Sequence, residues 1–330
     1  MTNLELEDIK RIADEDFSWD KLKNKTVLIS GGTGFIGSLF INVFRYRNEK
    51  YNDDIKVISL SRRGGESDHT VKYVKCDITG EIDIKDKVDY VIHLASNTHP
   101  KQYSEDPIGT ITTNIYGCHN LLKISNEKKA RFVLASSVEI YGNGTETPMD
   151  EEYSGYINCN QARAGYNEAK RLSEALLQSY RMQYGTNAVI ARFARVFGAD
   201  KKADSKAMSQ FMRNAIESED IVLKSKGNQL YSYVYVADAV SGLIKVMLDG
   251  CDGEAYNVSD DNKNITLGGY AEYISSLADR KVVYNLEDNQ SVSKATYALL
   301  DNRKIKNLGW NPRFDVTEGL KRTYLIYKGN

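Results

Sequence analysis

Tyr166 and Lys170 stand four residues apart in Tyr166-Asn167-Glu168-Ala169-Lys170, inside a stretch whose pattern predicts a long helix. That spacing puts the phenol and the ammonium on one helical face, one turn apart. A phenol titrates near pH 10, at about the value of free tyrosine, and is a poor base at neutral pH. A neighbouring ammonium stabilises the phenolate and equips it to exchange a proton with an alcohol. Such a pair is common by chance, and most instances are surface contacts. Upstream, however, Ser136-Ser137-Val138-Glu139-Ile140-Tyr141-Gly142 follows an apolar run. If that run is a strand of a parallel sheet, Ser137 emerges at the carboxyl edge, where ligands of such sheets bind. Phenol, ammonium and hydroxyl together suit reversible oxidation of a substrate hydroxyl.

Such chemistry needs an electron acceptor, and the chain offers a place for one. Gly31-Gly32-Thr33-Gly34-Phe35-Ile36-Gly37 follows a short apolar strand and opens a helix. A dinucleotide pyrophosphate needs a tight turn, close backbone approach and a helix N-terminus aimed at its charge. Gly31, Gly34 and Gly37 fit those three tasks, with Thr33, Phe35 and Ile36 lining the same turn. The next strand ends Ser59-Leu60-Ser61-Arg62-Arg63, where an NAD-specific site usually carries an acid for the ribose 2′-hydroxyl. Ser61 and Arg62 suit a 2′-phosphate instead, so NADP is preferred over NAD. The alternative is a solvated basic turn.

The elements that must position these groups alternate regularly. Strands are expected at Thr26–Ser30, Ile55–Leu60, Val71–Lys75, Asp89–Leu94, Arg131–Ser136 and Ala188–Phe193, and helices at Phe35–Arg47, Ile108–Asn126 and Asn160–Tyr184. Alternation of this kind predicts an α/β fold with a doubly wound, parallel, Rossmann-type sheet. Residues 1–24 read as a helical strap over the core, 25–198 as the dinucleotide-binding domain, and 199–330, where the rhythm shortens, as a smaller C-terminal α/β lobe that covers substrate.

Bulk properties exclude several classes of function. A net charge of −1 gives no electrostatic reason to expect a nucleic acid or an anionic membrane as partner. No stretch approaches the roughly 20 apolar residues of a membrane-spanning helix, and residues 1–10 are acidic and polar rather than signal-like. A cytoplasmic protein is expected. Cys76, Cys118, Cys159 and Cys251 are scattered singly, without zinc spacing, and no metal site is expected.

These motifs resemble those of the extended short-chain dehydrogenase/reductase family, in particular its nucleotide-sugar epimerases, dehydratases and decarboxylases. The likeness runs from about Lys25 to Tyr327 and rests on GGTGFIG, Asp77-Ile78, His93-Leu94-Ala95-Ser96, Asn114 to Gly117, SSVEIYG, YNEAKR, Tyr235 to Asp238 and Leu308 to Pro312. It implies that Asp77 and Ile78 meet the adenine, that Ala95 lies along the cofactor, and that Lys170 bonds the nicotinamide ribose. It further implies that Tyr166 exchanges the substrate proton, that Ser137 fills the family's catalytic Ser/Thr position, and that the substrate is a nucleotide-diphosphate sugar. Chemistry passing through a 4-keto sugar is implied, as is a homodimer formed through Ile108–Asn126 and Asn160–Tyr184. Glu139 stands where 4,6-dehydratases and UDP-glucuronate decarboxylases carry a glutamate, so one of those reactions is expected ahead of 4-epimerisation or net reduction of a keto-sugar. Val138 replaces the aspartate that many dehydratases carry there, which weakens the dehydratase reading. A catalytically silent sensor on the same fold is a third possibility, which the intact Ser137, Tyr166 and Lys170 argue against.

The pattern also breaks. Tyr231 occupies a place where the family usually has a diphosphate-clamping arginine, and Tyr297 and Ala298 stand where a second is expected. Conversely, Arg195 replaces a substrate-binding asparagine. Arg195 is therefore expected to contact the diphosphate from the other side, with Lys294 as helper; the alternative is that Arg195 pairs with a neighbouring carboxylate.

Overall fold

In the computed structural model, residues 1–96, 105–200, 206–260, 265–286 and 296–329 are described. Seven parallel strands form one sheet in the order β11-β6-β5-β4-β1-β2-β3. They are β1 (Thr26–Ser30), β2 (Lys56–Ser61), β3 (Val71–Lys75), β4 (Tyr90–His93), β5 (Arg131–Ser137), β6 (Ala188–Phe193) and β11 (Ala255–Val258). Val27 pairs with Val57 on one side and Tyr90 on the other, so the order reverses at β1. That reversal opens a crevice at the carboxyl ends of β1 and β4, the usual ligand position in such sheets.

Strand alternation builds a core on each face. Val27 and Ile29 of β1 join a cluster with Phe40 and Phe44 of α2 (Phe35–Tyr51). Leu28 faces the other way, into a cluster with Cys118 and Leu121 of α3 (Pro107–Lys128) and Leu177 of α4 (Ala164–Tyr184). Both faces are covered, which is why the strands read as nearly unbroken apolar runs. The strap is α1 (Asn3–Ala13). It buries Ile9 and Ile12, and its Asp8 is held by Arg322 at 2.6 Å and by the Tyr235 hydroxyl at 2.7 Å.

Two expectations need correction. The α4 helix starts at Ala164, not Asn160, because the Asn158 carboxamide accepts from the Asn160 amide at 3.0 Å and holds a local turn. The sheet is also not confined to residues before 199. Ala255 pairs with Ile190 and closes its edge, while α6 (Val236–Asp249) packs against β6. The remaining strands form three parallel pairs: β7 (Arg195–Phe197) with β10 (Tyr233–Tyr235), β8 (Ile221–Leu223) with β12 (Val282–Tyr284), and β9 (Leu230–Tyr231) with β13 (Tyr297–Ala298). Among them runs α5 (Ala207–Ile216), followed by α7 (Leu267–Leu277), α8 (Arg303–Lys306) and α9 (Val316–Tyr327). No helix among the described residues is long and apolar enough to cross a membrane.

Candidate active site

The glycine turn has the shape that a pyrophosphate requires. Gly31 sits in the left-handed region at φ +79°, and a Cβ there would lie 2.8 Å from the Ala95 amide nitrogen. A Cβ on Gly37 would collide with the Gly31 carbonyl, so α2 could not pack so tightly against the turn. Gly34 caps α2 without a side chain, which leaves the first amides of the helix open to an anion. Beneath the turn, Ser30 Oγ shares a hydrogen bond of 2.8 Å with His93 Nδ1 and accepts from the Ala95 amide at 3.3 Å. Burial, helped by the Lys170 charge, drives the His93 pKa down to about 3, so the imidazole is neutral at physiological pH. The cradle fits a dinucleotide.

Around it, Thr33, Phe35 and Ile36 are half-buried along the turn and the start of α2. At the end of β2, Ser61 Oγ donates to the Gly64 carbonyl at 3.2 Å, and Arg62 is exposed. Asp77 accepts from the Thr79 amide at 3.0 Å and from its hydroxyl at 2.9 Å; these bonds, with the Arg62 charge, lower its pKa. Ile78 is buried against Gly117 of α3.

Tyr166 and Lys170 are buried on the first turns of α4, at 5% and 2% exposure. Lys170 Nζ lies 6.0 Å from the centre of the Tyr166 ring and donates to the Ala135 carbonyl of β5 at 2.8 Å. Desolvation pulls the Lys170 pKa from 10.5 to about 8, against the opposing pull of Cys118 and Glu174. Ser137 ends β5 and caps the short 3-10 turn Val138–Tyr141, accepting from the Glu139 amide at 3.2 Å. Glu139 is tied back to α4, where Asn167 Nδ2 donates to its carbonyl at 2.8 Å and to its Oε2 at 3.3 Å. The end of β5 and the first turns of α4 thus bring Ser137, Glu139, Tyr166 and Lys170 to one junction of strand and helix.

Arg195 and Tyr231 meet there as well. The guanidinium carbon lies 3.9 Å over the centre of the Tyr231 ring, and Nη2 reaches Glu139 Oε1 at 3.4 Å. The expected neighbouring carboxylate is therefore present, and it is Glu139. Lys294 lies outside the described residues. Two participants escaped the sequence reading. Asn167 sits inside the quoted helical motif, yet its bond to Glu139 depends on where the 3-10 turn lands. Lys206 directly precedes α5; burial lowers its pKa, Asp200 opposes that, and the like charge of Arg195 adds to it. A lone lysine between a charged run and a helix gives no signal in the sequence.

Comparison with known proteins identifies the family and the fold. The family profile "NAD dependent epimerase/dehydratase family" matches residues 27–259. UDP-glucuronic acid decarboxylase 5 of Arabidopsis thaliana is 32% identical over 311 residues, spanning 90% of this chain and 87% of the relative. UDP-glucuronic acid decarboxylase 1 of Danio rerio is 30% identical over 305 residues, spanning 91% and 72%. Epimerase Mth375 of Methanothermobacter thermautotrophicus superposes with a TM-score of 0.81 at 24% identity, over 96% of this chain and 95% of that one. The dTDP-glucose 4,6-dehydratase DesIV of Streptomyces venezuelae gives 0.78 at 22% identity, over 92% and 97%. These two structures share the fold.

Proposed function

The chain belongs to the NAD-dependent epimerase/dehydratase family, and from that premise we propose that it removes the carboxylate of a nucleotide-linked hexuronic acid as CO2, through a 4-keto stage. The observation that carries this reading is the tie between Glu139 and α4, where Asn167, the residue after Tyr166, donates to both its carbonyl and its carboxylate. A bound nicotinamide dinucleotide supplies a reversible hydride acceptor for the sugar C4, held by the turn Gly31–Gly37 with Asp77, Ile78 and Ala95 along its length.

The chain's own residues handle the protons. Tyr166 takes the C4 hydroxyl proton and returns it at the end, while Ser137 hydrogen-bonds the same oxygen. Lys170 stabilises the phenolate through its charge and orients the ribose through its N–H donors. The C4 ketone is β to the C6 carboxylate, so the carbon–carbon bond breaks with its electrons delocalised onto the C4 oxygen. Glu139 serves as the acid–base group at C5. Val138 offers no second acid for a departing C6 hydroxyl, which favours loss of CO2 over loss of water. The decisive experiment is incubation with UDP-glucuronate or UDP-glucose in D2O without added cofactor. Release of CO2 with one solvent deuterium incorporated at C5 is expected. Dehydration of UDP-glucose, or turnover seen only in a parallel incubation in which added NADPH is consumed stoichiometrically, would overturn the reading.

Three finer assignments belong to the same proposal. Ser61 and Arg62 favour the 2′-phosphate of NADP at the ribose pocket. The described part of 199–330 outside β11 and α6 covers the substrate with Tyr231, while Arg195 projects from β7 at the edge of the dinucleotide domain. Ile108 and Tyr116 of α3 and Leu172 of α4 are exposed apolar residues on two helices that pack together, and they suit a homodimer across that face.

A further inference from the structure

Two arginines leave the sheet within four residues of each other, and their partners differ sharply. Arg192 is saturated: it grips both carboxylate oxygens of Glu174 at 3.1 and 2.7 Å, the Tyr141 hydroxyl at 3.0 Å and the Glu151 carbonyl at 2.7 Å. Arg195 is not. Its backbone amide bonds the Ser232 carbonyl at 3.2 Å, so the side chain springs from a fixed strand. Tyr231 stacks at 3.9 Å and sets the plane of the guanidinium. Its bond to Glu139, at 3.4 Å, is longer than the roughly 2.7–2.9 Å of a good charge-assisted pair. Nη1 is sealed from solvent and meets no acceptor among the described residues. Buried donors are nearly always satisfied, so an orphan in a substrate cleft calls for an acceptor that arrives with the ligand.

The surroundings point to an anion. Burial disfavours the Lys206 ammonium, Asp200 opposes that, and the Arg195 charge adds a smaller repulsion. Like charges near one another repel unless negative charge lies between them. Glu139 and Asp200 are the acidic groups that face this pair. Tyr231 adds an aromatic wall.

We propose that Arg195 is the specificity-determining receptor for an oxyanion of the substrate, and that this oxyanion displaces the Glu139 carboxylate from the guanidinium. The proposal rests on the nucleotide-uronate reading above, whose substrate carries the required chemistry twice, in its diphosphate and in its C6 carboxylate. A partly exposed ion pair of this length is weak, so an incoming oxyanion that uses both Nη1 and Nη2 outcompetes it. Released from Arg195, Glu139 keeps its bonds to Asn167 and so stays anchored at the start of α4, turned to the sugar. Substrate recognition and the presentation of the acid–base group then become one event.

The test is calorimetric titration of the cofactor-loaded enzyme with UDP, UDP-glucose and UDP-glucuronate. Arg195→Gln keeps the side chain's bulk without its charge, and Arg195→Lys serves should that variant fail to fold. A loss of roughly tenfold or more for all three ligands places the phosphoryl group on Arg195; a loss confined to UDP-glucuronate places the carboxylate there. Unchanged affinity for all three overturns the proposal. Glu139→Gln should tighten binding severalfold when Arg195 is present and leave it unchanged in the Arg195→Gln background. Equal weakening in both backgrounds overturns the exchange. If the wild-type protein binds none of the three, the uridine assignment falls by itself. Inorganic pyrophosphate and glucuronate, titrated against the wild type and Arg195→Gln, then decide the role of Arg195 by the same criterion.

Discussion

Replacing Lys170 with methionine should leave the cofactor-free protein about as stable as before, or more so, while destroying its activity. The ammonium is fully enclosed, and its pKa falls from 10.5 to about 8, with desolvation the largest cause. At about 1.4 kcal/mol per pH unit, that drop corresponds to roughly 3 kcal/mol of native-state cost at neutral pH. Methionine fills similar space without charge, but it strands the Ala135 carbonyl that Lys170 now satisfies at 2.8 Å, a loss of about 1–3 kcal/mol. The balance at pH 7 is therefore a gain of roughly 0–2 kcal/mol. The pH dependence supplies the sharper test. Below pH 8 the lysine is protonated in both folded and unfolded chains, and its full cost is present. Between pH 8 and 10.5 the folded state holds fewer protons than the unfolded one, so wild-type stability rises with pH relative to the variant. Cys118, pushed up to about 12 by burial, stays protonated in the folded protein across that window, and the ionisation of its unfolded thiol is common to both proteins and cancels from their difference. Urea unfolding of cofactor-stripped protein at several pH values from 6.5 to 10.5 reads the difference directly. The curves should approach one another above pH 8 and cross once the wild-type lysine is neutral. A variant destabilised by more than about 2 kcal/mol at pH 7, or a difference independent of pH, would refute the reasoning. A costly charge retained in the cleft is expected where chemistry, rather than stability, requires it.

Tyr166→Phe should lower turnover by roughly 100- to 10,000-fold with the dinucleotide still bound, as read by product formation and by cofactor absorbance of the purified protein. A residual rate near that of the wild type removes the phenol from the proton path. Arg62→Ala should weaken NADP at least about tenfold more than NAD in fluorescence titrations, since only the 2′-phosphate needs a charged partner there. Equal losses exclude a 2′-phosphate contact. Leu172→Glu places a carboxylate in the exposed stripe of α4, and sedimentation should then report monomers where the wild type forms dimers. Unaltered sedimentation of a dimeric wild type moves the interface elsewhere, and a monomeric wild type removes the proposed dimer.

How much of this was legible in the sequence depends on how far apart the interacting residues lie. Strands β1 to β6 follow from apolar runs because both faces of the sheet are covered, and each run sits close to its own turn signal. The glycine turn and the Tyr166–Lys170 spacing are equally local, since a turn conformation and a helical repeat act within a few residues. The seventh strand escaped because Ala255–Val258 is short and carries Asn257. That carboxamide is tolerated in the core because it accepts from the Tyr141 hydroxyl at 2.6 Å and donates to the carbonyls of Met149 at 3.0 Å and Asp301 at 2.9 Å. None of those partners is within 40 residues. The same distance rule divides the site. Proton transfer rests on short-range motifs, so its residues are readable one by one. Substrate choice rests on Arg195 meeting Glu139 and Tyr231, a meeting arranged by the pairing of β7 with β10 and by the strand end that seats Glu139. A chain can therefore exchange its specificity residues between strands, as Arg195 and Tyr231 suggest here, while its catalytic motifs stay fixed by local geometry. Missing arginines at Tyr231 and Ala298 do not by themselves argue against an anionic substrate: what matters is whether the fold brings some cation to the same cleft, and in this protein β7 does.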